Sequence, residues 1–409
     1  MKNGLNLLLV CILLALLALS GCSQMDSAVG IDLVPGLNDV YPEEKIVYPV
    51  ASAFYQDLLT TGSSPYLYLG HMQDYDAHVL LKFIPYAALP DSYAVDSLVV
   101  KLFLDSVITA GSDPLVIDVI PVNYSQTWAE VGVTWDNLDS LQLGDSWVSF
   151  EVPAAPADSD SFSFSLPAPD SLLHAWESAG SGGKTLHYNN GVYLQTQPPY
   201  DHMVRFSSAE YSQLTRRPKL EMYVTVFDTS DTTGAEPVDS MIYLYAGADA
   251  FVARYTGQLD SSCLYIGNAV VYRTILQFDL EGLFPSYGIG VHRAEFVLHA
   301  DTTHELNLGQ IEAVFHQEMQ DLSWQEDPAN APIKFVTPIF GVYDEEEATL
   351  SIVLNQMVFG WINDPASNHG FMIKSASELV DINRTVFYGI DAPDSLRPCL
   401  RLVYIENAP

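Results

Sequence analysis

The chain runs through one series of landmarks and then runs through it again, and a duplicated order is the strongest constraint a sequence places on its own fold. Tyr66-Leu67-Tyr68-Leu69-Gly70 is matched by Cys263-Leu264-Tyr265-Ile266-Gly267, and Leu80-Leu81-Lys82-Phe83 by Ile275-Leu276-Gln277-Phe278. Val100-Lys101-Leu102-Phe103-Leu104 is matched by Ala294-Glu295-Phe296-Val297-Leu298, Thr134-Trp135 by Ser323-Trp324, and Trp176 by Trp361. Asn190-Gly191-Val192-Tyr193-Leu194 parallels Asn368-His369-Gly370-Phe371-Met372, and Arg217-Pro218 with Leu220 parallels Arg397-Pro398 with Leu400. Two copies of one unit are expected, at 46–227 and 240–406, with the polar and turn-rich stretch 228–239 as their linker.

Most landmarks lie in short runs of alternating apolar and polar residues rich in Val, Ile, Leu, Phe and Tyr, such as 95–104, 115–122, 220–227 and 291–300. Alternation of period two places one face of an extended chain in a core, so these runs predict β-strands. Pro-Asp-Ser recurs at 90–92, 169–171 and 393–395. Proline presets φ there, and Asp or Ser bonds nearby backbone. The middle instance precedes Leu172-Leu173-His174-Ala175-Trp176, a polar cap before an apolar run, and predicts a helix. The expected fold class is all-β: two tandem jelly-roll-like β-sandwich domains, each with one short helix.

At the amino terminus, Lys2 precedes an apolar stretch from Leu5 to Leu19 that closes in Leu19-Ser20-Gly21-Cys22. The stretch is shorter than the roughly 20 residues of a spanning helix. Its last four residues resemble the lipobox of bacterial lipoproteins, which implies removal of 1–21 and lipid attachment at Cys22. Ser23 follows the cysteine in place of the aspartate linked to inner-membrane retention, which implies an outer-membrane lipoprotein, at the periplasmic face or the cell surface. Residues 22–45 read as a lipidated tether. Of the four cysteines, Cys11 leaves with the leader and Cys22 carries lipid. Cys263 and Cys399 then either pair as a disulfide, which an oxidising compartment allows, or stay as two buried thiols.

The chain carries 17 basic and 51 acidic residues, a formal charge of −34. Such a surface repels nucleic acid and unbridged polyanions at long range, so the expected partners are neutral glycans, calcium-bridged glycans or envelope proteins. No cofactor is required by any motif. Structural calcium fits the many carboxylates, with no loop that marks its ligands. His71, Asp74, Asp76 and His78 offer metal-ligating groups, but seven residues separate the two histidines, and on one extended strand they would point oppositely. His299, Asp301 and His304 read as a strand end and turn, and Glu345-Glu346-Glu347 as a solvated turn. Ser178-Ala-Gly-Ser-Gly-Gly183-Lys184-Thr185 approaches the phosphate-binding loop but has Ser where that loop needs Gly, and it follows a helix where the loop follows a strand. No Gly-x-Ser-x-Gly elbow occurs.

A strand ending in Leu-Gly, a Leu-x-Phe strand, Thr-Trp followed by Asp-Asn, a helix ending in Trp, an Asn-Gly strand and a final Arg-Pro-x-Leu strand together resemble the disaggregatase-related (DNRLRE) domain. The resemblance covers about 46–227 well and 240–406 less well, because Gln325-Glu326 follows Ser323-Trp324 where Asp-Asn is expected. It implies a noncatalytic sandwich, similar to some carbohydrate-binding modules, on an exported protein. The four repeated tryptophans Trp135, Trp176, Trp324 and Trp361 read as core. Nonrecurring aromatics, Tyr75, Trp147, Tyr188 and Tyr200, are the expected ligand contacts, since sugar rings stack on aromatic faces. The expected function is binding of extracellular carbohydrate or a surface partner. An assembly scaffold without a glycan ligand is the alternative, and a polysaccharide-degrading enzyme with paired carboxylates is a third.

Overall fold

The computed structural model describes residues 42–406, apart from 86–88, 110–113, 124–127, 154–160, 168, 177, 181–182, 186–188, 198–200, 228–235, 285–288, 304–313 and 335. Cys22, Tyr188, Tyr200 and His304 lie outside the described residues. The first strands are β1 (Glu43–Val47), β2 (Pro49–Asp57), β3 (Tyr66–Met72), β4 (Tyr75–Pro85), β5 (Tyr93–Thr109), β6 (Leu115–Pro121), β7 (Val148–Val152) and β8 (Ser161–Ser165). After the helix Pro169–Trp176 come β9 (Ser178–Gly180), β10 (Gly183–Thr185), β11 (Val192–Thr196), β12 (His202–Ser207), β13 (Lys219–Val226) and β14 (Val238–Tyr255). The rest are β15 (Cys263–Asn268), β16 (Val271–Phe278), β17 (Ile289–His299), β18 (Val314–Glu318), β19 (Val342–Asp344) and β20 (Thr349–Val353). The helix Asn355–Asn363 precedes β21 (Phe371–Ser375), β22 (Asn383–Tyr388) and β23 (Cys399–Glu406). The protein is an all-β sandwich, as the alternation predicts, with one short α-helix in each half among the described residues.

In the first half, β13, β5, β12 and β3 form one layer and β4, β11, β6 and β7 the other, with β8 on β5. Alternate side chains of both layers meet in one core: Leu98, Val100, Phe206 and Met222 from one side, Val79, Leu81, Val119 and Leu194 from the other. In the second half, β23-β17-β20-β19 faces β16-β21-β18, around Leu276, Phe278, Phe296, Ile352, Phe371 and Leu400. The helices close equivalent ends, with Trp176 and Trp361 in their cores.

Pairing reveals what the order of strands does not. β14 belongs by sequence to the second half, yet it pairs with β13 (Val238↔Val226 through Tyr245↔Lys219) and with β4 (Leu244↔Pro85 through Tyr255↔Tyr75). The amino-terminal β1 and β2 do the same in the other half, along β23 (Val47↔Leu400) and then β16 (Pro49↔Phe278 through Asp57↔Val271). Each half thus receives its leading strand from the other. The expected cut at 228–239 follows the repeat in sequence but not the strand pairing in space.

The halves also share a core: Tyr265, Tyr272, Ile382 and Val386 join the first-half cluster. Tyr68 donates its hydroxyl to Asp381 Oδ1 at 2.9 Å, and Arg205 joins Asp105 at 2.5 Å to Asp381 at 3.4 Å. Tyr75, expected at a ligand, is fully buried here against Tyr255 at 5.0 Å, because the alternation along β4 turns it inward. Cys263 and Cys399 are free thiols in different sheets, opposite Tyr388 and Val297 respectively. Burial raises the pKa of both.

The repeat extends to single hydrogen bonds, and these correct the alignment. Asn189 Nδ2 donates to Phe83 O at 2.5 Å, and Asn368 Nδ2 donates to Phe278 O at 2.6 Å. Asn189, not Asn190, is therefore the counterpart of Asn368. The following glycines, Gly191 at φ +77° and Gly370 at φ +87°, lie against Leu81 and Leu276, where a Cβ would meet the carbonyl oxygen at 1.7 and 2.5 Å. Trp324 Nε1 donates to His369 O at 2.8 Å, and its counterpart is Trp128, which donates to Asn190 O at 2.8 Å. Trp135, expected as the matching core residue, is only half-buried.

Candidate functional site

The sheet layer β14-β4-β11-β6 has an inner face in the core and an outer face built from the intervening residues. Along β4 the outer residues are Asp76, His78 and Leu80; their neighbours are Val252 and Arg254 on β14, Tyr193 and Gln195 on β11, and Asp118 and Ile120 on β6. Half of this face is apolar: Leu80, Ile120, Tyr193, Ala250 and Val252 pack under Trp128, Val133 and Leu138. The segment 128–141 thus acts as a cover. It is set by the Thr-Trp-Asp-Asn run: Asn137 Oδ1 accepts the Thr134 N–H at 3.0 Å, and Asn137 Nδ2 donates to Gly132 O at 2.7 Å.

Where the cover stops, the same face is polar and open. His71, Gln73, Asp74, Asp76, His78, Gln195, Thr196, Gln197, Asp201 and Arg254 line a cleft of about 820 Å³. One wall is the tip of the β3-β4 hairpin, where Gln73 and Asp74 both adopt positive φ (46° and 66°). Two such residues in a two-residue loop match the twist of the flanking strands. The hairpin also explains why both histidines reach the cleft: His71 lies on β3 and His78 on β4, so the expectation that seven intervening residues point them apart does not hold.

Asp76 is the centre of the cleft. Its Oδ1 lies 2.6 Å from His71 Nδ1, and its Oδ2 accepts Arg254 Nη2 at 2.8 Å and Nε at 3.0 Å. Burial alone would raise this carboxyl, but the hydrogen bonds from His71 and Arg254 prevail and hold it below its usual range. Burial depresses His78 to about 4, so its imidazole is neutral and its Nδ1 is engaged by the Tyr193 hydroxyl. Asp118, below Gln195, takes Gln197 Nε2 at 2.6 Å and Ser149 Oγ at 2.5 Å. At the rim the Arg254 guanidinium lies 4.4 Å from the Trp135 ring centre, and His78 meets the same ring at 4.8 Å.

The cleft therefore presents three carboxylates with Asp76 at their centre, one guanidinium, three amides and two imidazoles. A cation in the centre is disfavoured, because Arg254 already neutralises Asp76. Of the groups weighed as metal ligands, His71, Asp74, Asp76 and His78 come together, while Asp301 accepts hydrogen bonds from Thr303, as a turn residue does. Glu345, Glu346 and Glu347 form an exposed turn, and β9 with β10 forms a small hairpin in place of a phosphate loop. Trp147 lies elsewhere, half-buried beside an apolar hollow of about 320 Å³ with Val122, Leu172 and Trp176. Sequence reading missed Arg254, Gln195, Gln197 and Asp201, which only strand pairing brings to the cleft.

At the equivalent place in the second half, the described residues pair with one another. Arg273 replaces His78 and is held by Glu378 at 2.7 and 2.9 Å and by Asp57 at 2.6 Å. Lys374 replaces Gln195, binds Glu378 at 3.0 Å, and lies over Phe315, which stands where Asp118 does. These groups satisfy one another.

No known protein family and no curated protein matches the chain. The solved structures similar to it include the infectious bursal disease virus VP2 subviral particle, 10% identical over 90% of this chain and 78% of that one, with a TM-score of 0.12. Another is the Macrobrachium rosenbergii nodavirus, 10% identical over 92% and 99% of the two chains, with a TM-score of 0.13. At such scores neither likeness bears on the site.

Proposed function

We propose that this chain is a noncatalytic, lipid-tethered envelope protein that binds a neutral extracellular carbohydrate in the cleft of its first sandwich. The observation that carries the reading is the uncovered polar half of the β14-β4-β11-β6 face. Its volume lies within the range of small-ligand sites, and its donors and acceptors suit sugar hydroxyls, with Trp135 at the rim as an aromatic edge. Asp74, Asp76 and Asp201 outnumber the one arginine, which favours neutral over acidic sugars. Asp76 stays ionised under its two donors, so it binds and does not protonate a leaving group. The DNRLRE-like motifs and the lipobox-like leader support reading the chain as an outer-membrane lipoprotein.

The test is a glycan array probed with the full chain in detergent, beside Arg254→Ala and Gln195→Ala. Binding of neutral glycans that falls about tenfold in both variants supports the reading. Silence across the array, or binding unchanged in both variants, favours the scaffold role.

A further inference from the structure

Three carboxylates outside the cleft meet at the edge of β14: Glu130 from the cover segment, Glu210 from the turn after β12, and Asp249 from β14 itself. One oxygen of each lies within 4.8 Å of the others. Asp249 is the unusual member, a carboxylate only 1% exposed. Its Oδ2 accepts the Ala209 N–H at 2.7 Å, whereas its Oδ1 is buried with no hydrogen-bond donor. Glu130 Oε1 is likewise buried without a donor. Gly62 makes room for Glu130, since a Cβ there would come within 2.0 Å of Glu130 Cγ.

Two orphaned buried carboxylate oxygens in one cluster are costly unless something positive meets them. The charges acting on Asp249 are those of Glu210 and Glu130, so its carboxyl is pushed well above the usual range by burial and then by Glu210. Calcium takes oxygen ligands at about 2.3–2.6 Å, so any two ligands of one ion lie no more than about 5 Å apart, a limit that this trio meets. Magnesium keeps several of its waters and is held by one or two carboxylates, so a set of three protein carboxylates suits calcium better.

We infer that Glu130, Glu210 and Asp249 form a calcium site that ties the cover segment 128–141 and the turn after β12 to the exchanged strand β14. The site is particular to the first half, because Ser52 stands opposite Leu276 where Asp249 stands opposite Leu81. It is separate from the cleft, but Asp249 shares β14 with Arg254 and Glu130 shares the cover with Trp135. The ion therefore fixes both elements that frame the cleft.

The experiment titrates calcium into the chelator-treated full chain, with calorimetry, terbium luminescence and the thermal midpoint as readouts. The same titration is run on Glu210→Gln and Asp249→Asn. Glu210 is exposed, so its variant keeps the test decisive if Asp249→Asn does not fold. One strong calcium per chain, a midpoint that rises with calcium, and at least tenfold weaker binding in Glu210→Gln support the site. No stoichiometric calcium binding, or equal affinity in the wild type and Glu210→Gln, overturns it. A rise in midpoint for Asp249→Asn that is the same with calcium and with chelator also overturns it, and assigns the trio to a proton shared between Asp249 and Glu210.

Discussion

The indole N–H of Trp128 donates to the carbonyl oxygen of Asn190 at 2.8 Å, and the indole of Trp324 makes the same bond to His369 in the other half. Each bond clamps a cover segment onto the outer sheet face beside the Asn-x-Gly turn. Trp128→Ala is expected to destabilise the protein by about 3–5 kcal/mol, the cost of a large cavity with an unpaired carbonyl beside it. Trp135→Ala, at a half-buried rim position, is expected to cost less than about 1 kcal/mol and to weaken glycan binding instead. Urea unfolding of both variants separates the two roles; equal losses would show that Trp135 is core after all.

The exchange of leading strands predicts how the chain behaves when cut. A protease site inserted within 228–235 should give two fragments that elute together in native buffer and separate only in denaturant. Each fragment holds a strand that the other needs, β14 against β13 and β4, and β1-β2 against β23 and β16. Separation without denaturant would contradict the exchange.

His78 sets an acid limb of stability. Its pKa of about 4 in the fold lies below its ordinary 6.5, so the unfolded chain takes up the proton first as pH falls. The stability from the neutral imidazole is whole above pH 6.5 and is lost between 6.5 and about 4, by up to about 3 kcal/mol. His78→Gln, which keeps an acceptor for Tyr193, should flatten that limb in denaturant melts run across this window.

In the second half the Arg273–Glu378 pair is buried, with side chains 11% and 9% exposed, and is sensitive to loss of one partner. Glu378→Ala leaves a guanidinium buried with Asp57 as its remaining anion and is expected to cost about 3–5 kcal/mol. Arg273→Met with Glu378→Leu together should cost less than Glu378→Ala alone, since no guanidinium is left buried, although Asp57 and Lys374 each lose a partner. Chemical denaturation of the single and double variants checks this, and an equal loss in both would assign the cost to packing.

Glycines 191 and 370 hold the repeated turn at positive φ against a carbonyl oxygen, so alanine at either position is strained as well as crowded. Gly191→Ala, with the closer contact, should lower the thermal midpoint more than Gly370→Ala does, by a difference that differential scanning calorimetry resolves.

The sequence by itself determined the strands, the helix that begins at Pro169 and the duplication, because period-two alternation, proline and glycine act over a few residues. It also brought His71, Asp74, Asp76 and His78 into view as one group. It did not determine which tryptophan is core: Trp128 and Trp135 both follow β6, and only the bond to Asn190 distinguishes them. Nor did it show the strand exchange, the cleft completed by Arg254 and Gln195, or the meeting of Glu130, Glu210 and Asp249. Those were decided by tertiary structure, for a physical reason. A strand's alternation states that one face is buried, but its backbone edge accepts any partner of the right register, and that pairing sets which distant side chains become neighbours.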